Sequence, residues 1–125
     1  MEYEITISKT RSYIAIIFYS PMTTDVAFCS GPELVRLAIE SNINRFLFDL
    51  RQAPNVQSTA DNYFFANRDI EDFSFPRASM SAFLVREDDT SHEFITLAFL
   101  NAGYIVKLFT EEAAAVAWLE NGGRC

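Results

Sequence analysis

Residues 45–60 read Arg45-Phe46-Leu47-Phe48-Asp49-Leu50-Arg51-Gln52-Ala53-Pro54-Asn55-Val56-Gln57-Ser58-Thr59-Ala60. Arg45 to Leu50 is a short apolar run closing on a carboxylate, the pattern of a central strand. Pro54-Asn55 marks a loop, and Ser58-Thr59-Ala60-Asp61 supplies the hydroxyls of a helix N-cap. A strand that passes through a loop into a helix is the start of a βαβ unit, which implies a mostly parallel sheet covered by helices.

The same rhythm continues toward the C-terminus. Tyr63, Phe64, Ala66 and Ile70 fall at helical spacing, and Pro76 closes a loop rich in Asp and Phe. Ser79 to Val85 reads as the next strand. Thr90-Ser91-His92-Glu93 has the spacing of a capping box ahead of a helix carrying Phe94, Leu97, Ala98 and Asn101, with Gly103 at its end. Tyr104 to Phe109 is the last strand. Thr110-Glu111-Glu112 caps a final helix of Ala113, Ala114, Val116, Ala117, Trp118 and Leu119, which Asn121-Gly122-Gly123 terminates.

Toward the N-terminus, Tyr3, Ile5 and Ile7 alternate with Glu4, Thr6 and Ser8, as in an edge strand with one wet face. After the polar break Lys9 to Ser12, the unbroken run Tyr13 to Tyr19 predicts a strand buried on both faces and paired antiparallel with the first. Residues 21–28 fit a loop, a strand or an early helical turn equally. Ser30-Gly31-Pro32-Glu33 has capping-box spacing with Pro in the first turn, and it predicts a helix bearing Leu34, Leu37 and Ala38 that stops at Ser41-Asn42 and Asn44. The order is β-β-α-β-α-β-α-β-α. We therefore expect one α/β domain over residues 1–125, a mostly parallel sheet with one antiparallel edge strand and flanking helices.

Composition bounds the function. Of 125 residues 50% are hydrophobic and 22% charged, which argues against disorder. A net charge of -7, with Lys9 and Lys107 the only lysines, leaves no basic footprint for nucleic acid. The longest apolar run, Tyr13 to Tyr19, is far short of the roughly 20 residues of a membrane span. Met1-Glu2-Tyr3-Glu4 does not resemble a signal peptide, so a cytoplasmic protein is expected. Cys29 and Cys125 are isolated thiols, suggesting neither a disulfide framework nor a zinc site.

Ligands of such sheets collect outside the carboxyl ends of the parallel strands, which selects residues 20–30, 51–59, 86–90 and the turn at Thr110. In the second of these, Ser58 stands where backbone N–H groups and the helix dipole would hold a phosphate. Its plainer reading is a cap worth about 1 kcal/mol. The element order, the strand ending Phe48-Asp49-Leu50, the loop length and the Ser58-Thr59 pair resemble the STAS domain of bacterial anti-sigma factor antagonists, the SpoIIAA-like fold. The closing Tyr104-Ile105-Val106-Lys107-Leu108-Phe109-Thr110 followed by Ala113, Ala117, Trp118 and Leu119 is similar too. The resemblance in element order covers nearly the whole chain. It implies a loop Asp-Ser-Ser-Gly whose serine is phosphorylated by a partner kinase that is also the anti-sigma factor. Gln57, Ser58, Thr59 and Ala60 fall on those four positions, so two hydroxyls are kept while the acid and the glycine are not.

Other groups read as structural. His92, the only histidine, lies in the first turn of an expected helix, in a turn expected to be exposed, without an evident catalytic companion. Asp69, Glu71 and Asp72, and likewise Glu87, Asp88 and Asp89, lack the glycine and alternating ligands of an EF-hand and read as solvated surface. Cys29, placed just ahead of the expected helix at Ser30, reads as a packed cysteine. No cofactor motif occurs. Phe64, Phe65, Phe73 and Phe75, with Phe83, crowd around the second helix and the following loop, where they would form a homodimer face, line a pocket for an apolar ligand, or close the core.

Two functions are thus expected. The first is a non-enzymatic regulatory module that docks a protein partner around Asp49, Gln57, Ser58 and Thr59. The second, which the related STAS and lipid-transfer folds imply, is a carrier of a small apolar molecule.

Overall fold

Five strands and four helices alternate along the chain in the computed structural model, which describes residues 2–121, the side chain of Phe73 excepted. The strands are β1 (Tyr3–Ile7), β2 (Ile14–Phe18), β3 (Arg45–Asp49), β4 (Met80–Leu84) and β5 (Ile105–Phe109). The helices are α1 (Thr24–Ser41), α2 (Thr59–Asn67), α3 (Glu93–Asn101) and α4 (Glu112–Glu120), with a 3₁₀ turn at Asp69–Phe73 after α2. The sheet order is β1-β2-β3-β4-β5; β1 pairs antiparallel with β2, from Tyr3 opposite Phe18 to Ile7 opposite Ile14, and every other pair is parallel.

Strands laid down in sequential order by crossovers of one hand put every crossover helix on the same face. The core divides accordingly. Ile14, Ile16, Phe18, Phe46, Phe83 and Val106 pack with residues of α1, α2 and α3 on one side, while Leu47, Ala82 and Leu84 pack with Ala115 and Leu119 of α4 on the other. Helix α4 lies over β3, β4 and β5. It is fastened at its end by Arg45 Nη1, which donates to the Leu119 carbonyl at 2.8 Å. Because α4 does not extend over all of β2, Ile14, Ile16 and Phe18 are buried but Ala15 and Ile17 only half so, in contrast to the two-sided burial expected of this run.

Two expected helix starts fall elsewhere. Helix α1 begins at Thr24, capped by Thr23 Oγ1, which accepts from Val26 N at 3.2 Å. Ser30-Gly31-Pro32-Glu33 therefore lies inside the helix and is no capping box; Pro32 is exposed and has no N–H for the Phe28 carbonyl. The helix stops at Asn42 in the left-handed conformation (φ 57°, ψ 43°), as the sequence suggests. Likewise Thr90-Ser91-His92-Glu93 does not box α3: His92 is the N-cap without a side-chain bond, and Ser91 Oγ accepts from the distant Asn55 N instead. Gly103 follows α3 at φ +97°, where a side chain would be strained.

Candidate binding site

Beyond the carboxyl ends of β2 and β3 the chain keeps pairing. Met22 and Asn55 form a parallel bridge, with Met22 N donating to the Pro54 carbonyl at 2.8 Å and Val56 N to the Met22 carbonyl at 3.3 Å. The bridge sets the start of α1 beside the loop that enters α2. Side chains complete the junction. Asn55 N donates to Ser91 Oγ at 2.8 Å, Gln57 Nε2 donates to Thr24 Oγ1, and the His92 ring bonds the Ala53 carbonyl at 2.8 Å. Residues 53–57 are thereby tied to the first turns of α1 and α3.

Beneath this junction lies a cavity of about 110 Å³ between the sheet and the three crossover helices. Helix α2 packs on α3 and on the 3₁₀ turn, and α1 packs on that turn, but α1 and α2 have little direct contact and leave a gap. Phe18, Phe48, Ser81, Phe83 and Val106 form the sheet side; Leu34, Phe65, Ile70, Ile95 and Phe99 form the helix side. Phe48 is only partly buried although it stands in the middle of the sheet, because one side of its ring faces the void while Phe46, Phe75 and Phe83 pack around the rest. The rings make a chain of edge-to-face and tilted contacts, with centroids 5.4 Å apart for Phe48–Phe83, 6.0 Å for Phe83–Phe99 and 6.0 Å for Phe65–Phe99. The half-exposed wall residues Met22, Thr24, Gln57 and Phe65 put the opening between the first turn of α1 and α2.

Among the described residues no Asp, Glu, Lys or Arg lines the cavity. His92 is 2% exposed, and burial pushes its pKa below the usual histidine value, so the ring is neutral. A carbonyl only accepts, so Nε2 carries the proton that bonds Ala53 O and Nδ1 is left as an acceptor. The two asparagines are fixed by the same logic. Gln57 N donates to Asn55 Oδ1 at 2.9 Å, so Asn55 offers Nδ2 to Asn62 Oδ1, also at 2.9 Å. The Asn62 amide N–H₂ is then left without an acceptor among the described residues, although Asn62 is only 7% exposed and lines the cavity. Ser30 and Ser81, each 3% exposed, also line it, and their hydroxyls have no hydrogen-bond partner among the described residues.

Of the residues the sequence singled out, the cavity gathers Gln57, Phe65 and Phe75, with Phe83 and His92. The expectation that His92 sits in an exposed turn is corrected: Ala53 and Ile95 are buried with it, and its ring holds the loop. Asp49 goes to the opposite face, where Arg51 grips both its oxygens at 2.9 and 2.7 Å and reaches Glu112 of α4 at 3.1 Å. Asp49 and Ser58 therefore do not form one site. Ser58 is an exposed N-cap whose Oγ accepts from Asp61 N at 3.1 Å, and Thr59 is exposed beside it. Phe64 points outward under the Arg68 guanidinium, 4.8 Å from its ring centre. Cys29 is an exposed residue in mid-α1 and not at a helix start, so the packed-cysteine reading is also corrected. The side chain of Phe73, and Cys125, lie outside the described residues. In the acidic stretches Asp69 pairs with Arg68, Glu71 with Arg77 and Asp88 with Arg86, while Asp89 Oδ1 accepts from Ser91 N.

Asn55, Asn62, Thr24 and Ser81 escaped the sequence reading. Asn62 left a signal: it precedes Phe65 and Ala66 by three and four positions, so a polar side chain interrupts the inward stripe of α2. None of the described helices is long and apolar enough to cross a membrane. Comparison with protein-family models, with curated proteins and with solved structures gave no match to this chain.

Proposed function

We propose that this chain is a non-enzymatic binding module that holds a small, largely apolar molecule between its sheet and α1, α2 and α3. The cavity carries the reading. A cavity of about 110 Å³ has room for several waters, each of which needs about 10–15 Å³ and two or more polar partners, yet most of the wall is apolar and Phe is its commonest residue. Comparable apolar voids of about 150 Å³ stay dry and admit benzene. Leaving such space empty forfeits dispersion contacts that a bound molecule would restore. The polar groups at the rim support binding over catalysis, since His92 Nε2, Asn55 and Gln57 bond to the protein's own backbone and side chains. The sequential strand order with one antiparallel edge pair supports a SpoIIAA-like architecture, working in the cytoplasm, where an exposed thiol such as Cys29 stays reduced. Native mass spectrometry of protein purified from its own host should show an adduct of small mass that denaturation removes; protein that is empty in repeated preparations contradicts the reading.

A second reading, the docking of a protein partner around Ser58, rests on the outer side of the same region. Val56, Tyr63 and Phe64 are 59%, 53% and 45% exposed and flank the exposed Ser58. On that reading Ser58→Asp weakens capture of a partner that the unmodified protein retains, and an identical set of captured proteins contradicts it.

A further inference from the structure

The cavity's chemistry narrows what it can hold. We infer that the ligand is an uncharged, single-ring aromatic molecule carrying a hydrogen-bond acceptor, which docks on the Asn62 amide N–H₂; the inference rests on the cavity being a binding site, as proposed above.

Three observations carry it. The first is charge: among the described residues no ionised side chain lines the cavity, and a charged ligand would lose its hydration without gaining a counter-ion, a cost no apolar contact recovers. The second is shape. Phe48, Phe83, Phe99 and Phe65 present ring edges and faces to the void in a continuous series, the environment in which another ring packs edge-to-face or offset. A volume of about 110 Å³ suits one ring with a short substituent. The third is the unmatched donor. Gln57 N fixes Asn55, Asn55 fixes Asn62, and neither amide can turn over without placing two N–H groups or two oxygens against each other. Asn62 is thereby locked with its N–H₂ unanswered at a wall of an apolar cavity. Facing an apolar cavity, this donor is poorly served by water, and a ligand carbonyl or ether oxygen would give it a partner. The hydroxyls of Ser30 and Ser81 stand at the same cavity and can serve the acceptor's second lone pair.

The test is calorimetric titration with three probes of similar size: acetophenone, ethylbenzene, which lacks the carbonyl, and benzoate, which is charged. Acetophenone should bind about tenfold or more tighter than ethylbenzene, the value of one hydrogen bond to a buried donor, and benzoate should not bind. Asn62→Leu should abolish the preference while retaining ethylbenzene, whose binding also reports that the variant is folded. Asn62→Asp, which keeps an acceptor for Asn55 but loses the N–H₂, should abolish it as well. Equal binding of acetophenone and ethylbenzene, tight binding of benzoate, or a preference that survives both substitutions overturns the inference and leaves the cavity reading standing. If none of the three binds, both fail.

Discussion

The His92 ring donates Nε2–H to the Ala53 carbonyl at 2.8 Å, joining the start of α3 to the loop after β3 across 39 positions of sequence. The bond fixes residues 53–57, on which the geometry of the cavity rim depends. It also makes stability sensitive to acid. Burial lowers the folded-state pKa below the usual 6.5, with the Ala53 bond and Asp89, 3.9 Å away, acting in the opposite direction. As pH falls past 6.5 the unfolded chain takes up a proton that the folded ring resists, so this contribution is complete above 6.5 and declines below it until the folded pKa is reached.

The expected outcome is a urea midpoint that drops between about pH 7 and about pH 5, and a His92→Gln variant that loses this part of the slope. At neutral pH the variant should be less stable by about 1–3 kcal/mol, since the Ala53 carbonyl stays buried. Denaturation series of both proteins at stepped pH check this; an equal slope in the two contradicts it.

Pro32 predicts a gain. It is exposed in the interior of α1, nine positions into an 18-residue helix, where a proline removes a backbone bond and crowds the preceding turn. Pro32→Ala should raise the stability by about 1–3 kcal/mol, less whatever the more flexible unfolded chain takes back. Thermal unfolding reads this directly, and a lower Tm than the parent contradicts the placement of Pro32 within a continuous helix.

Ser81 tests the cavity by filling it. It is buried on β4, its hydroxyl has no partner among the described residues, and it faces the void. Ser81→Val adds two methyl groups where there is space, removes a buried hydroxyl and suits a strand, so the ligand-free protein should gain about 1 kcal/mol. Acetophenone binding should weaken at least tenfold in the same variant. Destabilisation with unchanged binding contradicts the geometry.

The alternating architecture was legible because each strand is short, apolar and followed by cap residues: Phe46 to Asp49 and Ser58 suffice to place β3 and the start of α2. The start of α1 was not, because Ser30-Gly31-Pro32-Glu33 imitates a helix start. The true cap, Thr23, precedes a turn that shows no apolar periodicity. What made Ser30 and Gly31 small is their burial against the cavity, a tertiary fact. The aromatic crowd around Phe65 and Phe75 pointed toward the cavity, but its polar rim depends on Asn55 meeting Asn62 and Ser91, and on Gln57 meeting Thr24, pairings that no local pattern encodes. Asp49 misled for the opposite reason. Proximity in sequence to Ser58 suggested one site, and the two-residue alternation of β3 sends Asp49 to the α4 face with Leu47.

The central claim, that a small molecule enters the space between the sheet and the crossover helices, is tested most directly by methyl NMR during titration with acetophenone. The account predicts saturable shifts of Leu34, Ile70, Ile95 and Val106, which line the cavity, with Leu47, Leu84 and Leu119 on the α4 face unmoved. Shifts absent from the first group, or confined to the second, would contradict it.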